Sequence, residues 1–146
     1  MSSYQCPVCL EDPTSHSLKK IHETDELVYY YTCPAKASKF SDRVGILAHY
    51  DGELTNKGDK RWVWILDSAG FDMRHAIEIQ LAVDMATLIN NKHGHNLERI
   101  CIINPTLFTS VTVNVVWPFI GSRLRSLIVY DSNQQWSNRW NEESIL

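Results

Sequence analysis

ERICIINPTLFTSVTVNVVWPFIG, residues 98–121, sets two unlike segments end to end. The first, Glu98 to Asn104, is a continuous run of β-branched and apolar side chains without alternation, which suits a strand covered on both faces in a parallel sheet. Asn104-Pro105 then supplies a cap and a first helical position. From there to Gly121 the chain is apolar around nearly its whole circumference if helical, and Pro118 kinks or ends it. A β-branched run such as VTVNVV is a poor intrinsic helix former, so tertiary contact or a ligand has to hold it. Such a helix is either plain interior or faces something oily on more than one side.

Working outward, ELVYYYTC (26–33), RWVWILD (61–67) and SLIVYD (126–131) read as further strands. Between them lie a mixed segment, SDRVGILAHYDGEL (41–54), and a long helical pattern from Met73 to His93. In the latter Ile77, Leu81, Met85 and Leu88 recur at helical spacing, Asp72 caps the start and Gly94 ends it. The order is βαβαβαβ. It predicts an α/β fold, a mostly parallel sheet with βαβ crossovers and helices covering it, in a single compact domain over residues 26–135. Residues 1–25, polar and irregular with Pro7 and Pro13, are expected to form an N-terminal arm, and 136–146 a C-terminal tail.

Charge and motifs exclude several classes. Fourteen Lys and Arg against seventeen Asp and Glu give a net charge of -3, the wrong sign for phosphate neutralisation, so nucleic acid is not an expected partner. The chain shows neither 18 consecutive apolar residues nor a signal-peptide pattern, and its four cysteines have no regular disulfide spacing. These features predict a cytoplasmic protein with free thiols or a metal. Neither G-x-x-x-x-G-K-[ST], G-x-G-x-x-G, G-x-S-x-G nor H-E-x-x-H occurs, and Cys33 and Cys101 lack an Arg six residues on. Asp67 at a strand end and His75 on the next helix are a motif-free pair, and His93 and His95 suit the negative end of a helix dipole. The expectation is a non-enzyme with no required cofactor.

Cys6-Pro7-Val8-Cys9 is half of a zinc knuckle, since two thiolates at this spacing chelate one ion from a tight turn. His16, His22 and Cys33 are candidates for the other half, at spacings that match no standard finger. A structural zinc on Cys6 and Cys9 would staple the arm to the core. The alternative is free thiols on a mobile arm.

The ordered series RWVWILDSAGFD, amphipathic helix, ERICIINPTLFTSVTVNVVWPFIGSRLRSLIVYD resembles the CRAL-TRIO lipid-binding domain over residues 26 to 133. Asp67, Gly70, Phe71, Asn104, Pro105, Phe108, Asn114, Pro118 and Phe119 match the family's order. The resemblance implies a sheet floor, a hydrophobic pocket and an apolar helical gate near residues 106–121 that meets a membrane during exchange. Family ligands include phosphoinositides, tocopherol and retinoids. It assigns lipid contact to Leu107, Phe108, Val111, Val115, Val116, Phe119 and Ile120, and contact with a headgroup or membrane surface to Arg123 and Arg125, for which a solvated turn is the alternative. The function expected is binding and transfer of a small hydrophobic lipid by a cytoplasmic protein peripheral to membranes. The alternative is a protein-interaction scaffold of the divergent BCH type, which binds a small GTPase or a second copy. The family's usual preceding helical domain is replaced by the Cys-containing arm, and the chain stops soon after SLIVYD, so an open-sided pocket is expected.

Overall fold

The computed structural model describes residues 4–131. The expected tail at 136–146 lies outside them. Five strands run β1 (Lys19–Glu23), β2 (Leu27–Thr32), β3 (Arg61–Asp67), β4 (Leu97–Ile103) and β5 (Ile128–Asp131), in sheet order β1-β2-β3-β4-β5. The last four are mutually parallel, and β1 pairs antiparallel with β2. The mostly parallel α/β sheet expected from the apolar runs is therefore present. Its antiparallel edge strand comes from the stretch expected to be an irregular arm. Residues 7–11 of that stretch also form a short helix, α1 (Pro7–Glu11), and Ser15, His16 and Leu18 are buried. A boundary near residue 25 would thus cut a β-hairpin.

The crossovers are α2 (Arg43–Asn56), then α3 (Met73–Ala76) with α4 (Ile79–Leu88), then α5 (Leu107–Val116) with α6 (Ser122–Leu127). Strand order from β2 to β5 is monotonic, and right-handed crossovers then place every connecting helix on the same face. Two apolar clusters follow from this. On the helix face Tyr30, Trp62, Trp64, Ile100 and Ile102 pack with Ile46, Tyr50 and Leu54 of α2 and with Leu124 of α6. On the other face Tyr31, Cys33, Val63, Ile65, Cys101 and Ile103 form a second cluster. Among the described residues the connecting helices do not share out over both faces, as the sequence pattern suggested; the second cluster is built of strand residues and Cys33.

The helix expected from Met73 to His93 is interrupted. Asp72 caps α3 as predicted, accepting from Arg74 N, while the His75 ring accepts from Asp72 N. The helix then breaks at Ile77 and Glu78, restarts as α4 and widens into a π-turn over Ile89–His93. Gly94 leaves the helix into a 3-10 turn; a Cβ there would collide with Leu124 and the Ile89 carbonyl. The cap of α5 is also displaced. Thr106, not Asn104, is its N-cap, in a reciprocal capping box with Thr109. Asn104 sits just before it in the left-handed region at φ 50, a conformation Asn tolerates better than other side chains with a Cβ.

Candidate functional site

A cavity of about 230 Å³ lies between the helix face of the sheet and α4 and α5. Trp64, Leu66, Ile100 and Ile102 line it from the strands, Leu81, Met85 and Ala86 from α4, and Thr109, Thr112, Val113 and Val116 from α5. These two helices are apolar, yet α4 has no fully buried residue and α5 has only Thr109. A tightly packed helix–sheet layer would bury such faces completely. Here they stand off from the strands and bound a space instead.

The lining's polar atoms largely satisfy one another. Tyr50 donates to the Ser17 carbonyl at 2.9 Å and lies 3.1 Å from Thr32 Oγ1, which accepts from Trp64 Nε1 at 3.0 Å. Among the described residues the buried side-chain atoms without a partner are Ser15 Oγ and Asn96 Oδ1, and neither residue lines the cavity. Polar capacity is concentrated just past the carboxyl end of β3, where Ser68, His75 and Glu78 join the lining. Open α/β sheets take ligands at that edge. The His75 ring there is stacked on Phe71 and packed on Phe40, so it is held as part of an aromatic rim.

Asp67 does not meet His75. It is buried and accepts from Tyr31 Oη at 2.6 Å, Ala69 N at 3.0 Å and Asn104 Nδ2 at 3.1 Å. Burial first, and the carboxylate second, push the Tyr31 phenol far above its ordinary range. Cys33, raised chiefly by burial, stays a thiol rather than a nucleophilic thiolate. His93 is buried against Asp51 and His95 is exposed, so that pair does not converge.

The residues singled out on the apolar helix divide between two surfaces. Val116 and Ile120 line the cavity. Leu107, Val111 and Phe119 face solvent at 76%, 47% and 46% exposure, joined by Trp117. Phe108 and Val115 are half-buried and outside the cavity lining. Thr109, Thr112 and Val113, none of them among the seven residues assigned to lipid contact, also line it, as do Leu81 and Met85 of the helical stripe. A 3.6-residue period counted from the Thr106 cap separates these two sides, whereas side-chain size does not. Arg123 donates to the carbonyls of Gly94 and Leu97, which braces the turn before β4. Arg125 donates to the Trp117 carbonyl at 2.9 Å and lies over the Trp117 ring at 5.3 Å.

At the amino end, Cys6 and Cys9 meet His16 and, from α2, His49. The four donor atoms lie within 4.8 Å of one another. His22 instead packs on Tyr29 at the sheet edge, and Cys33 is in the second apolar cluster.

Among the described residues, crossover helices over one face of a mostly parallel sheet, with an apolar cavity whose lining reaches Ser68, His75 and Glu78 past the carboxyl end of β3, define an α/β domain built around a hydrophobic pocket. The sequence matches the CRAL/TRIO domain over residues 5–145, essentially its whole length. The chain therefore belongs to the CRAL/TRIO family, whose members are generally lipid-binding and transfer proteins rather than enzymes. No curated protein matches the chain. Among the described residues no helix is long and apolar enough to cross a membrane.

Proposed function

We propose that this domain holds one hydrophobic lipid in the cavity beneath α4 and α5 and exchanges it at a membrane surface. One observation carries this: α5 is apolar on two sides, one lining a cavity and the other turned to solvent. Each CH2 moved from water into such a lining is worth roughly 0.8 kcal/mol, and away from Ser68, His75 and Glu78 the lining that would meet an acyl or isoprenoid chain is mostly apolar. Ser68, His75 and Glu78 suit a small polar head at the cavity's edge. The outer face, with Leu107, Val111, Trp117 and Phe119, would enter the interfacial region of a bilayer. Arg125, held on Trp117, is the side chain we assign to an anionic lipid surface, phosphoinositide among the candidates; Arg123 is left to its bracing of the turn.

Native mass spectrometry of the chain purified from cells tests this directly. A carrier shows one additional lipid mass per chain. Met85→Trp, which fills the cavity from α4, should remove that mass while the circular dichroism spectrum is kept. The scaffold alternative, binding a small GTPase or a second copy, rests on the outer face of α5 alone and leaves the cavity without a use. It predicts bare polypeptide for both proteins.

A further inference from the structure

We infer that Cys6, Cys9, His16 and His49 form a complete tetrahedral zinc site. A metal–sulfur distance of about 2.3 Å and a metal–nitrogen distance of about 2.0–2.1 Å give a tetrahedron whose sulfur–nitrogen edges are ~3.6 Å. Cys6 Sγ to His16 Nδ1 and Cys9 Sγ to His49 Nδ1 are both 3.5 Å. Two separate thiol–imidazole hydrogen bonds would satisfy those two distances, but nothing would then require the pairs to converge. All four donors do converge, within 4.8 Å.

The surroundings are those of ligating imidazoles. Each ring presents Nδ1 to the thiols and turns Nε2 to an oxygen: His16 to Asp42 Oδ2 at 2.9 Å, His49 to the Leu18 carbonyl at 3.1 Å. Outer partners of this kind fix the tautomer and orientation of zinc-bound histidines. Asp42 is held in turn, because it also caps α2 by accepting from Gly45 N. Gly45 leaves room for it, since a Cβ at that position would overlap the Asp42 carboxylate. Cys6, His16 and His49 are 6%, 2% and 7% exposed.

Two thiolates and two imidazoles in a closed tetrahedron, three of the four buried and Cys9 half-buried, select zinc over hard oxygen-seeking cations and leave no position for a substrate. The role is structural. The ion would tie α1 and the loop before β1 to the middle of α2, next to Tyr50, whose hydroxyl meets Ser17 at the cavity lining.

The test is metal content of the full chain, purified without a histidine tag, by inductively coupled plasma mass spectrometry, followed by cobalt(II) substitution. The expected result is one zinc per chain, and a cobalt derivative with intense tetrahedral d–d bands and thiolate charge transfer. Cys6→Ser and His49→Ala should lose the metal, whereas His22→Ala should keep it. Because loss of a ligand can itself unfold the chain, His49→Cys supplies a second measure: it keeps four ligands and should shift the cobalt bands toward a three-sulfur spectrum. Asp42→Asn should weaken zinc affinity roughly 10–100-fold. A folded protein that takes up neither zinc nor cobalt at one equivalent, or a His49→Cys spectrum identical to the wild type, overturns the assignment.

Discussion

Asn104 shows how much one residue at a strand end can carry. It adopts φ 50 and donates to buried Asp67, joining the end of β4 to the end of β3. Asn104→Ala should cost about 2–3 kcal/mol, from the left-handed backbone and the weakened Asp67 site together. Asn104→Gly, which relieves only the backbone, should cost less, as urea midpoints will show. His93 makes a different prediction. Burial first, with Lys92 and Lys57 adding to it, holds its imidazole below the ordinary 6.5 against the Asp51 carboxylate that raises it. Just below pH 6.5 the unfolded chain then binds more protons than the folded one, so stability falls as pH falls through that range. His93→Gln should make the urea midpoint less dependent on pH between 7 and 5. Asp67 was legible in the sequence as the end of an apolar run, and Cys6 and Cys9 as one half of a candidate metal cluster. His49 was not: it lies 40 residues from Cys9, in a segment without helical amphipathicity, and no spacing rule spans that distance.

The elements were legible in proportion to the strength of their pattern. RWVWILD is β3 to the residue, and the run from Glu98 is β4 within one residue at each end, because covered parallel strands announce themselves by continuous hydrophobicity. The edge strand β1, KKIHE, has no apolar run to announce it, since only Ile21 faces the core. The break in the second crossover helix was equally hidden. Its apolar spacing continues straight through Ile77, whose side chain is in fact exposed, and the interruption reflects the separate capping of α3. For α5 the Asn-Pro pair marked the right neighbourhood, but the cap belongs to Thr106, whose hydroxyl also donates to the Phe71 carbonyl at 2.7 Å. Thr106→Ala should therefore destabilise by about 1–2 kcal/mol, whereas Thr106→Ser, which keeps the hydroxyl, should stay within a few tenths of wild type in chemical denaturation.

At the scale of the molecule, monotonic strand order stacks all crossover helices on one face, and that layer is where a cavity can form. Whether an apolar helix is filler or gate cannot be settled by its composition, because both require the same side chains. The difference lies in the distance it keeps from the sheet, which depends on every residue beneath it. The fold separates the two sides of α5, so the binding and the exchange proposed above are separable by mutation. Phe119→Asp alters only an exposed side chain near the end of the apolar segment, so the fold and the cavity lining remain. Retained lipid mass in native mass spectrometry, with transfer between liposomes reduced at least tenfold, is the expected result. On the proposed reading the interfacial step would draw on buried apolar area together with Arg125 and anionic headgroups, so residual transfer should also fall as salt rises. Unchanged transfer rates for Phe119→Asp and for Leu107→Asp would show that the outer face of α5 is not where lipid enters and leaves.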